Sequence, residues 1–331
     1  MKSNRRDFLK QMTVLTAAAA MPGIAATSCS TSKKKVTPRK VKAGEKVRLA
    51  CIGIGFRGGD IIDDFVKTGL CDVVALCDIN MGAPHTVKKM EQFPDAPRYQ
   101  DFRQMFAEMG DKIDAVSIGT PDHSHFPIAM LAMSLGINVF VEKPMAHSFY
   151  ECELMMEAEK KYGVVTQMGN QGHSEANYFQ FKAWKEAGII KNVRAVTAHM
   201  NNPRRWHGWD SNMQSFFPEE PIPSTLDWDS WLCGEQEHKY NKNFVDGQWR
   251  CWYDFGMGAL GDWGAHLIDT VHEFLELGLP TEINMLRAEG HNPFFFPSSS
   301  TIEFKFPARG DMPPVDITWY DGLDNIPPVP E

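Results

Sequence analysis

The sequence predicts an α/β protein with two domains, of which the first is built on a doubly wound parallel sheet. Three observations lead to this prediction. The chain has 331 residues, which is about twice the ~150 residues of a typical domain. Short apolar runs alternate with helix-length segments over residues 46–168, as in a parallel sheet with helical crossovers. All nine tryptophans lie between Trp184 and Trp319, so the two parts differ in composition.

Charge is distributed unequally along the chain. Residues 1–46 contain 11 Lys and Arg against two Asp and Glu, whereas the remaining 285 residues contain 23 basic and 40 acidic groups. An acidic body of this kind argues against nucleic acid as a partner, because phosphate contacts require a basic face. With 43% hydrophobic and 23% charged residues, the overall composition is that of a globular protein.

Residues 1–45 are predicted to be an export signal. Arg5 and Arg6 in the basic N-terminal segment resemble a twin-arginine signal, and an apolar stretch follows over residues 12–26. That stretch is shorter than the ~20 residues that a membrane-spanning helix needs. We therefore expect export through the Tat pathway to the periplasm.

Cys29 is a candidate lipidation site. It ends the segment Ala26–Cys29, which loosely resembles a lipoprotein cleavage box. Cleavage there would leave residues 30–46 as a basic tether, and lysines 33–35 would hold this tether near anionic lipid headgroups. Because the match is loose, a lipidated and an unlipidated protein are both compatible with the sequence.

A glycine-rich loop follows the first predicted strand, Val47–Ile52. It reads G-x-G-x-x-G and is followed directly by a helical pattern, which is the context of a dinucleotide site. Gly53 allows the tight turn, Gly55 lets the backbone approach a pyrophosphate, and Gly58 lets the helix pack on the strand. The helix N-terminus then faces the phosphates. The predicted cofactor-binding residues of this loop are Gly53, Gly55, Phe56, Arg57 and Gly58.

Asp78 ends the second predicted strand and lies twenty residues after Gly58. A carboxylate at this place accepts hydrogen bonds from the ribose hydroxyls of adenosine and repels a 2′-phosphate. Ile79 and Asn80 follow it, without an adjacent arginine. NAD rather than NADP is therefore expected as the cofactor.

Two further predicted strands end in polar segments. The strand Ile113–Gly119 runs into Thr120–His125, and Asn138–Val141 runs into Glu142–Pro144. Ligands bind outside the carboxyl ends of parallel strands, so both segments are expected at the cofactor site. The two histidines do not predict a metal centre, because no suitably spaced further ligands or C-x-x-C pair accompany them. The additional predicted cofactor-binding residues are Thr120, Pro121, His123, His125, Glu142 and Lys143.

Together these motifs resemble the Gfo/Idh/MocA family of oxidoreductases, which act mainly on sugars and cyclitols. The motifs that carry the resemblance are the Gly53 loop, Asp78, Thr120–His125, Glu142–Pro144 and the later segment Gly261–Asp269. The resemblance implies an NAD-binding Rossmann domain over residues 46–168 and, over residues 169–331, an α+β substrate-binding domain with an open, mainly antiparallel sheet. It also implies catalytic roles for Lys143, Asp262 and His266.

The chemistry of these three residues fits the oxidation of a sugar alcohol. The hydroxyl must lose a hydride to nicotinamide and a proton to a base, and a histidine such as His266 titrates near neutral pH. Lys143 would stabilise the negative charge that develops on the reacting oxygen. Asp262 and His266 are four residues apart and would share one helix face, so Asp262 either contacts the substrate or orients the imidazole.

The second domain is expected to bind the substrate. It begins with a predicted helix over residues 175–187 and a strand over 193–200, and the resemblance places His173 and His199 near the substrate. The segment 201–253 combines aromatic rings with Arg, His and Asn, which suits sugars. At least half of its tryptophans are nevertheless expected to pack structurally. The predicted substrate-binding residues of this segment are Arg204, His207 and Trp209.

The sequence stops soon after strands predicted at residues 281–288, 300–306 and 314–320. Family members with a comparable insertion continue well beyond this point. The second domain is therefore expected to be truncated, which would leave an unpaired sheet edge.

We predict an exported NAD-dependent oxidoreductase that acts on a small-molecule carbohydrate and forms a homo-oligomer. An NAD-dependent glycosidase, which oxidises, eliminates and then reduces, would use the same cofactor site and is a first alternative. A noncatalytic sugar-binding lipoprotein or degenerate fragment is a second. The short C-terminus favours this last alternative, whereas the presence of Lys143, Asp262 and His266 opposes it.

Overall fold

The computed structural model of the chain describes Lys10, Thr13 and residues 36–201, 210–245 and 247–329. Several predicted functional residues lie outside this described part of the chain. They are the arginine pair of the export signal, the lipidation site Cys29 and the substrate-binding candidates Arg204, His207 and Trp209.

The chain folds into two compact units. The first contains the residues up to Gly169 together with Glu219–Asn241, and the second contains Asn170–Pro218 and the residues from Lys242 onward. The segment 219–241, which we call the strap, therefore belongs to the first unit although it lies between two parts of the second unit in the sequence.

The first unit is built around six parallel strands in the spatial order β3-β2-β1-β4-β5-β6. The strands are β1 (Val47–Ile52), β2 (Cys71–Cys77), β3 (Arg98–Tyr99), β4 (Ala115–Ile118), β5 (Asn138–Glu142) and β6 (Thr166–Gly169). The order reverses between β1 and β4, where a crevice for a dinucleotide forms. The predicted doubly wound parallel sheet is confirmed.

Helices cover both faces of this sheet, and the second unit contains further helices. In chain order they are α1 (Phe56–Lys67), α2 (Pro84–Gln92), α3 (Phe102–Met109), α4 (Asp122–Ser134), α5 (Phe149–Tyr162), α6 (Ala176–Glu186), α7 (Trp228–Leu232), α8 (Ala265–Leu267) and α9 (Asp269–Phe274). Short 3₁₀ turns lie at Gly110–Lys112, Gln171–Ser174, Lys242–Phe244 and Gln248–Cys251, and a π-helical turn lies at Leu260–Gly264. None of the helices among the described residues is long and apolar enough to cross a bilayer.

Local sequence explains where the helices of the first unit begin and end. Asp101 precedes α3, and its side chain accepts a hydrogen bond from the backbone N–H of Arg103, which satisfies a helix-end donor. Ser148 does the same for α5, which ends at Gly163 with φ of +65°, a conformation that favours glycine. Helix α4 is buried along most of its length because it packs in the main core beside β4 and β5.

The second unit contains a four-stranded sheet in the order β7-β10-β9-β8. Its strands are β7 (Ala195–Met200), β8 (Glu282–Glu289), β9 (Ser299–Phe306) and β10 (Val315–Asp321). Strand β10 pairs in parallel with β7 and antiparallel with β9, and β9 pairs antiparallel with β8. The predicted open, mainly antiparallel sheet is confirmed.

Two apolar groups hold the second unit together. On one face of the sheet, Ile317 and Trp319 are buried and pack in clusters that include Phe304. A separate aromatic group forms around Trp252, which is fully buried and lies 4.9 Å from the ring of Phe244. Aromatic burial of this extent provides a rigid base for the segment that bears Arg250 and Asp262.

Candidate functional site

The glycine loop between β1 and α1 has the close packing that its sequence predicts. Gly53 adopts φ of +73°, and a Cβ on it would lie 2.7 Å from the carbonyl oxygen of Gly119. A Cβ on Gly58 would overlap the carbonyl oxygen of Gly53. These glycines therefore allow α1 to start against the ends of β1 and β4, beside the crevice of the sheet.

The N-terminus of α1 is open to an anionic ligand. The helix starts after Gly55, and this N-cap residue has no side chain that could cap the N–H groups. Its first turn contains no acidic residue. Free N–H groups and the positive end of the helix dipole suit a diphosphate. Phe56 lies at this end with φ of +43° and 69% of its surface exposed.

Asp78 is held beside the glycine loop by backbone donors. Its Oδ2 accepts a hydrogen bond from the N–H of Ile54, and its Oδ1 accepts one from the N–H of Asn80, both over 3.0 Å. Burial raises the pKa of the Asp78 carboxyl, while these N–H groups act in the opposite direction. Each oxygen keeps acceptor capacity for a ribose hydroxyl. The loop, the open helix end and this carboxylate fit the pyrophosphate and adenosine ribose of NAD.

His85, in the first turn of α2, is a candidate cofactor-binding residue that the sequence analysis did not select. A Cβ on Gly55 would overlap its imidazole, and its ring lies 4.2 Å from that of Phe56. It is also near enough to Asp78 to lower the pKa of that carboxyl. His85 thus lies between the groups expected to bind pyrophosphate and ribose. Pro84, a helix-start residue, was the one signal that could have placed it in an accessible first turn.

His125 connects the loops that follow β4 and β5. It is 1% exposed, and its ring nitrogens lie 2.7 Å from the Pro144 carbonyl oxygen and 2.9 Å from that of Thr120. Burial lowers the pKa of His125 to about 4, so the neutral imidazole donates to one of these oxygens. Thr120 and Pro121 lie in the loop after β4, and their cofactor roles stay predictions.

His123 is directed at the strap. Its side chain is buried, and its Nε2 lies 2.8 Å from the carbonyl oxygen of Trp231. The two rings are 4.8 Å apart. The structure therefore uses this imidazole to join α4 to the strap, and its predicted contact with the cofactor stays a prediction.

Lys143 directly follows β5 and is half-buried. Its backbone N–H donates to the Oε2 of Glu142 over 3.2 Å, while Oε1 of the same carboxylate lies 3.2 Å from Nε of Arg57. Glu142 is 5% exposed. This buried carboxylate therefore links the segment that carries Lys143 to the first turn of α1. The direct cofactor roles of Arg57 and Glu142 stay predictions.

In the second unit, Asp262 lies in the π-helical turn and His266 in the short helix α8. Asp262 is 3% exposed, and its Oδ2 lies 3.4 Å from Nε of Arg250. The Arg250 guanidinium in turn lies 4.2 Å from the ring centre of Trp249. His266 is partly exposed, with its ring 5.4 Å from that of Trp263. Arg250 is a further candidate that the sequence analysis missed, because no motif marks it.

His173 is bound to helix α9. Its Nε2 is in ion-pair contact with Oδ2 of Asp269 and lies 3.7 Å from Oε2 of Glu273. Its ring stacks on Tyr178 at 4.9 Å. This predicted substrate residue therefore lies against the end of the Gly261–Asp269 segment.

His199 is exposed on β7, opposite Tyr320 of β10. Its predicted role as a substrate-binding residue stays a prediction, as does that of His173.

Half of the tryptophans of the segment 201–253 are buried and pack against other side chains. Of the six, Trp228, Trp231 and Trp252 are buried. Trp228 stacks on Trp231 at 4.6 Å and 13° within the strap. The prediction that at least half of these tryptophans pack structurally is confirmed.

Two family models match the chain. The GFO_IDH_MocA model, described as an oxidoreductase family with an NAD-binding Rossmann fold, matches residues 47–170. The model of the C-terminal alpha/beta domain of the same oxidoreductase family matches residues 183–291.

Curated relatives have weaker, partial similarity. A glycosyl hydrolase family 109 protein of Shewanella pealeana is 29% identical over 226 residues, which are 56% of this chain and 48% of that protein. An inositol 2-dehydrogenase/D-chiro-inositol 3-dehydrogenase of Lactiplantibacillus plantarum is 27% identical over 190 residues, 57% of this chain and 53% of that protein. The chain thus spans about half the length of the curated relatives it matches.

Solved structures show the same fold at low identity. GenD2 from gentamicin A biosynthesis, in complex with NAD, superposes with a TM-score of 0.61 at 17% identity over 88% of this chain and 70% of that one. The WlbA dehydrogenase from Bordetella pertussis, in complex with NADH and UDP-GlcNAcA, gives 0.59 at 17% identity over 83% and 72%. With the family models and the geometry of the glycine loop, these findings establish that the chain belongs to the Gfo/Idh/MocA family of oxidoreductases, with its NAD-binding Rossmann fold.

Proposed function

We propose that this protein is an NAD-dependent oxidoreductase that moves a hydride between a hydroxyl-bearing carbon of a sugar or glycoside and the nicotinamide. One observation carries the proposal: the glycine loop and Asp78 form an NAD site at the same sheet edge where Lys143 follows β5. A cofactor site with a cationic side chain at the carboxyl end of another strand of the same sheet suits an alcohol or carbonyl substrate.

Three side chains of the protein would take part in this reaction. NAD, when bound, would accept or return the hydride. Lys143 would donate a hydrogen bond to the reacting oxygen and stabilise its developing negative charge. His266 would take the hydroxyl proton. Asp262, with Arg250 beside its carboxylate, would contact the substrate or orient the imidazole.

A carbohydrate or cyclitol substrate is supported by the relatives. Their names include glycosyl hydrolase family 109 and inositol dehydrogenase, and the WlbA structure holds UDP-GlcNAcA. Aromatic, histidine and arginine side chains in the second unit match such a substrate, since sugar rings stack on aromatic faces while hydroxyls take directed hydrogen bonds. The proposed substrate-binding residues are His173, His199, Arg204, His207 and Trp209.

The test of the proposal begins with the cofactor. Purified protein is denatured, and the supernatant is assayed for released NAD; protein without NAD is titrated with it. We expect bound NAD or its uptake, followed by NADH formation with a panel of sugars, glycosides and cyclitols. Absence of NAD together with absence of NAD binding would contradict the proposal and favour a noncatalytic sugar-binding protein.

A redox-neutral glycosidase is the second candidate, and the family 109 relatives favour it. Transient oxidation, elimination of the aglycone, addition of water and reduction would return the cofactor to its first state. Incubation with aryl glycosides separates the two reactions. Release of free sugar without net NADH identifies the glycosidase, whereas NADH formed in proportion to product identifies the dehydrogenase.

We also propose export through the Tat pathway, with Cys29 as the lipid-bearing residue of a periplasmic homo-oligomer. Arg5 and Arg6 support the first part and the segment Ala26–Cys29 the second. Fractionation of cells that express the wild type, the Arg5→Lys/Arg6→Lys variant and the Cys29→Ser variant tests both. Light scattering of the purified protein tests the oligomer.

A further inference from the structure

The strap forms hydrogen bonds with the segment that directly follows Asp78. The backbone N–H of Asp227 donates to the carbonyl oxygen of Ile79 over 2.8 Å. The backbone N–H of Met81 donates to the carbonyl oxygen of Thr225 over 3.2 Å. The strap therefore fixes the main chain next to the carboxylate that receives the adenosine ribose.

Gln100 reinforces this first anchor. Its Nε2 lies 3.0 Å from the carbonyl oxygen of Ile79 and 2.8 Å from that of Thr225. The Thr225 hydroxyl also donates to Oδ1 of Asn80 over 2.9 Å. The amide of Gln100 thus holds the strap and the segment after β2 together. The hydrogen bond between Thr225 and Asn80 joins the same two segments.

The second anchor of the strap lies at α3 and α4. The carbonyl oxygen of Trp231, a residue that is 5% exposed, lies 2.8 Å from the ring nitrogen of His123. Nη2 of Arg103 lies 3.4 Å from the hydroxyl of Ser230. Cys233, next along the strap, is buried in the same apolar core as α4. These contacts attach the strap to the first turn of the helix that follows β4.

The two anchored segments are walls of the dinucleotide crevice. In a doubly wound sheet, the dinucleotide binds outside the carboxyl ends of the strands where their order reverses, and its ribose contacts the acid after β2. This sheet reverses between β1 and β4. The adenosine half of NAD therefore enters between residues 79–81 and the first turn of α4, which are the segments that the strap connects.

We propose that the strap holds these walls at a fixed separation and thereby slows release of NAD, with Gln100 and Trp231 as positioning residues. The inference rests on the NAD site of the proposed function. Segments after strands are ordinarily mobile, and ordering them on binding costs free energy. A crevice that is already held open at the right width removes this cost, and the gain appears mainly as slower dissociation.

The proposal is tested with a Gln100→Ala/Thr225→Ala variant, which removes the side-chain bonds of the first anchor, and a Trp231→Ala variant. The control is Gln104→Ala, an exposed amide on α3 that bonds to Glu108. The NADH dissociation rate is measured by stopped-flow energy transfer from tryptophan. The affinity for ADP-ribose, which lacks nicotinamide, is measured by calorimetry.

In the double variant we expect NADH to dissociate about 10-fold faster and ADP-ribose to bind about 10-fold more weakly, a change of about 1.4 kcal/mol in each case. The KM for NAD should rise, while kcat at saturating NAD and the KM for sugar should stay at wild-type values. The proposal is overturned if NADH dissociates from the Gln100→Ala/Thr225→Ala variant at the same rate as from the Gln104→Ala control. This outcome does not depend on whether Trp231→Ala folds. Failure of the wild type to bind NADH would instead overturn the proposed function.

Discussion

Arg250 and Asp262 form an ion pair in the second unit, with Nε of the guanidinium 3.4 Å from Oδ2 of a carboxylate that is 3% exposed. Burial of a carboxylate is costly unless a cation and hydrogen bonds accompany it. Arg250 therefore supplies a cation beside this buried carboxylate, which lies in the same short helical segment as His266. A carboxylate fixed in this way is suited to orient an imidazole.

From this relationship we predict that Asp262→Asn lowers kcat by about 100-fold, the usual size of a lost acid–base contribution. The substitution keeps the shape of the side chain but removes the charge, so the NAD content should not change. Steady-state kinetics and NAD release after denaturation are the measurements. Asp311→Asn, at an exposed carboxylate, is the control, and equal kcat in the two variants would contradict a catalytic role for Asp262.

Lys143→Met is expected to lower kcat by about 100- to 1,000-fold, the cost of losing a group that stabilises charge in the transition state. NAD affinity should change little, because the adenosine and pyrophosphate groups are bound elsewhere along the sheet edge. Single-turnover formation of NADH checks the first expectation and calorimetry the second. Lys160→Met, at an exposed lysine of α5, is the matched control. Unchanged turnover in Lys143→Met would remove this residue from the mechanism.

Patterns along the sequence were sufficient to predict the parallel sheet and an NAD cofactor, because apolar runs and glycine spacing are local signals, whereas the open sheet of the second unit was predicted from the family resemblance. Strand β3 was not predicted, since two residues are too few to show a period of two. The strap was predicted as part of the second domain's aromatic segment. Its attachment to the first unit depends on contacts such as Gln100 with Thr225, 125 positions apart, which no local pattern shows.

Residues of the candidate site were predictable to the extent that motifs mark them. Gly53 and Asp78 follow from spacing, and in the structure Asp78 accepts a hydrogen bond from the N–H of Ile54 in the glycine loop. His85 and Arg250 belong to no motif. They are candidates because His85 lies next to Gly55 and Arg250 next to Asp262 in the folded chain. No local sequence pattern shows such proximity.

The pH dependence of NAD binding should report on Asp78. Burial raises the pKa of this carboxyl, and a ribose hydroxyl donates a stronger, charge-assisted hydrogen bond to its ionised form. As pH falls through this raised pKa, Asp78 takes up a proton in the free protein and NAD affinity decreases; at higher pH the affinity is constant. Calorimetric titrations from neutral to acidic pH measure this change.

Asp78→Asn is the variant that isolates this effect. We expect it to bind NAD about 10-fold more weakly at neutral pH, because a charge-assisted hydrogen bond contributes roughly 1.5 kcal/mol or more. The acidic step in affinity should disappear, and discrimination against NADP should decrease. Persistence of the same step in Asp78→Asn would show that another group titrates.

His85→Phe should weaken NAD binding by about 3- to 10-fold, which corresponds to one hydrogen bond to a phosphate or ribose oxygen. Phenylalanine retains the aromatic contact with Phe56, 4.2 Å away in the wild type, and removes only the ring nitrogens. Lys88→Ala, an exposed position on the same helix, controls for general effects on α2. If His85→Phe binds NAD like the wild type, the imidazole only packs on the loop.

Stability at low pH should depend on Asp114, which lies at the sheet edge away from the cofactor, directly before β4. Its Oδ2 accepts hydrogen bonds from both Nε and the backbone N–H of Arg48 over 2.9 Å, and its Oδ1 lies 2.6 Å from Nη2. The Arg48 hydrogen bond lowers the pKa of the Asp114 carboxyl. This contribution to stability is therefore complete above the ordinary pKa of an aspartate and is lost as pH falls through the lowered value.

Asp114→Asn should consequently reduce the free energy of unfolding at neutral pH by about 1 to 2 kcal/mol, with kcat and NAD affinity unchanged. The difference from the wild type should shrink as pH falls through the lowered pKa, because the wild-type carboxyl is then protonated as well. Urea unfolding at several pH values measures this. The matched control is Asp72→Asn, which removes the exposed Lys46–Asp72 pair, 2.9 Å apart, at the starts of β1 and β2. Solvent screens that pair, so its loss should change the free energy of unfolding much less. An equal effect of the two substitutions would contradict the role assigned to Arg48 and Asp114.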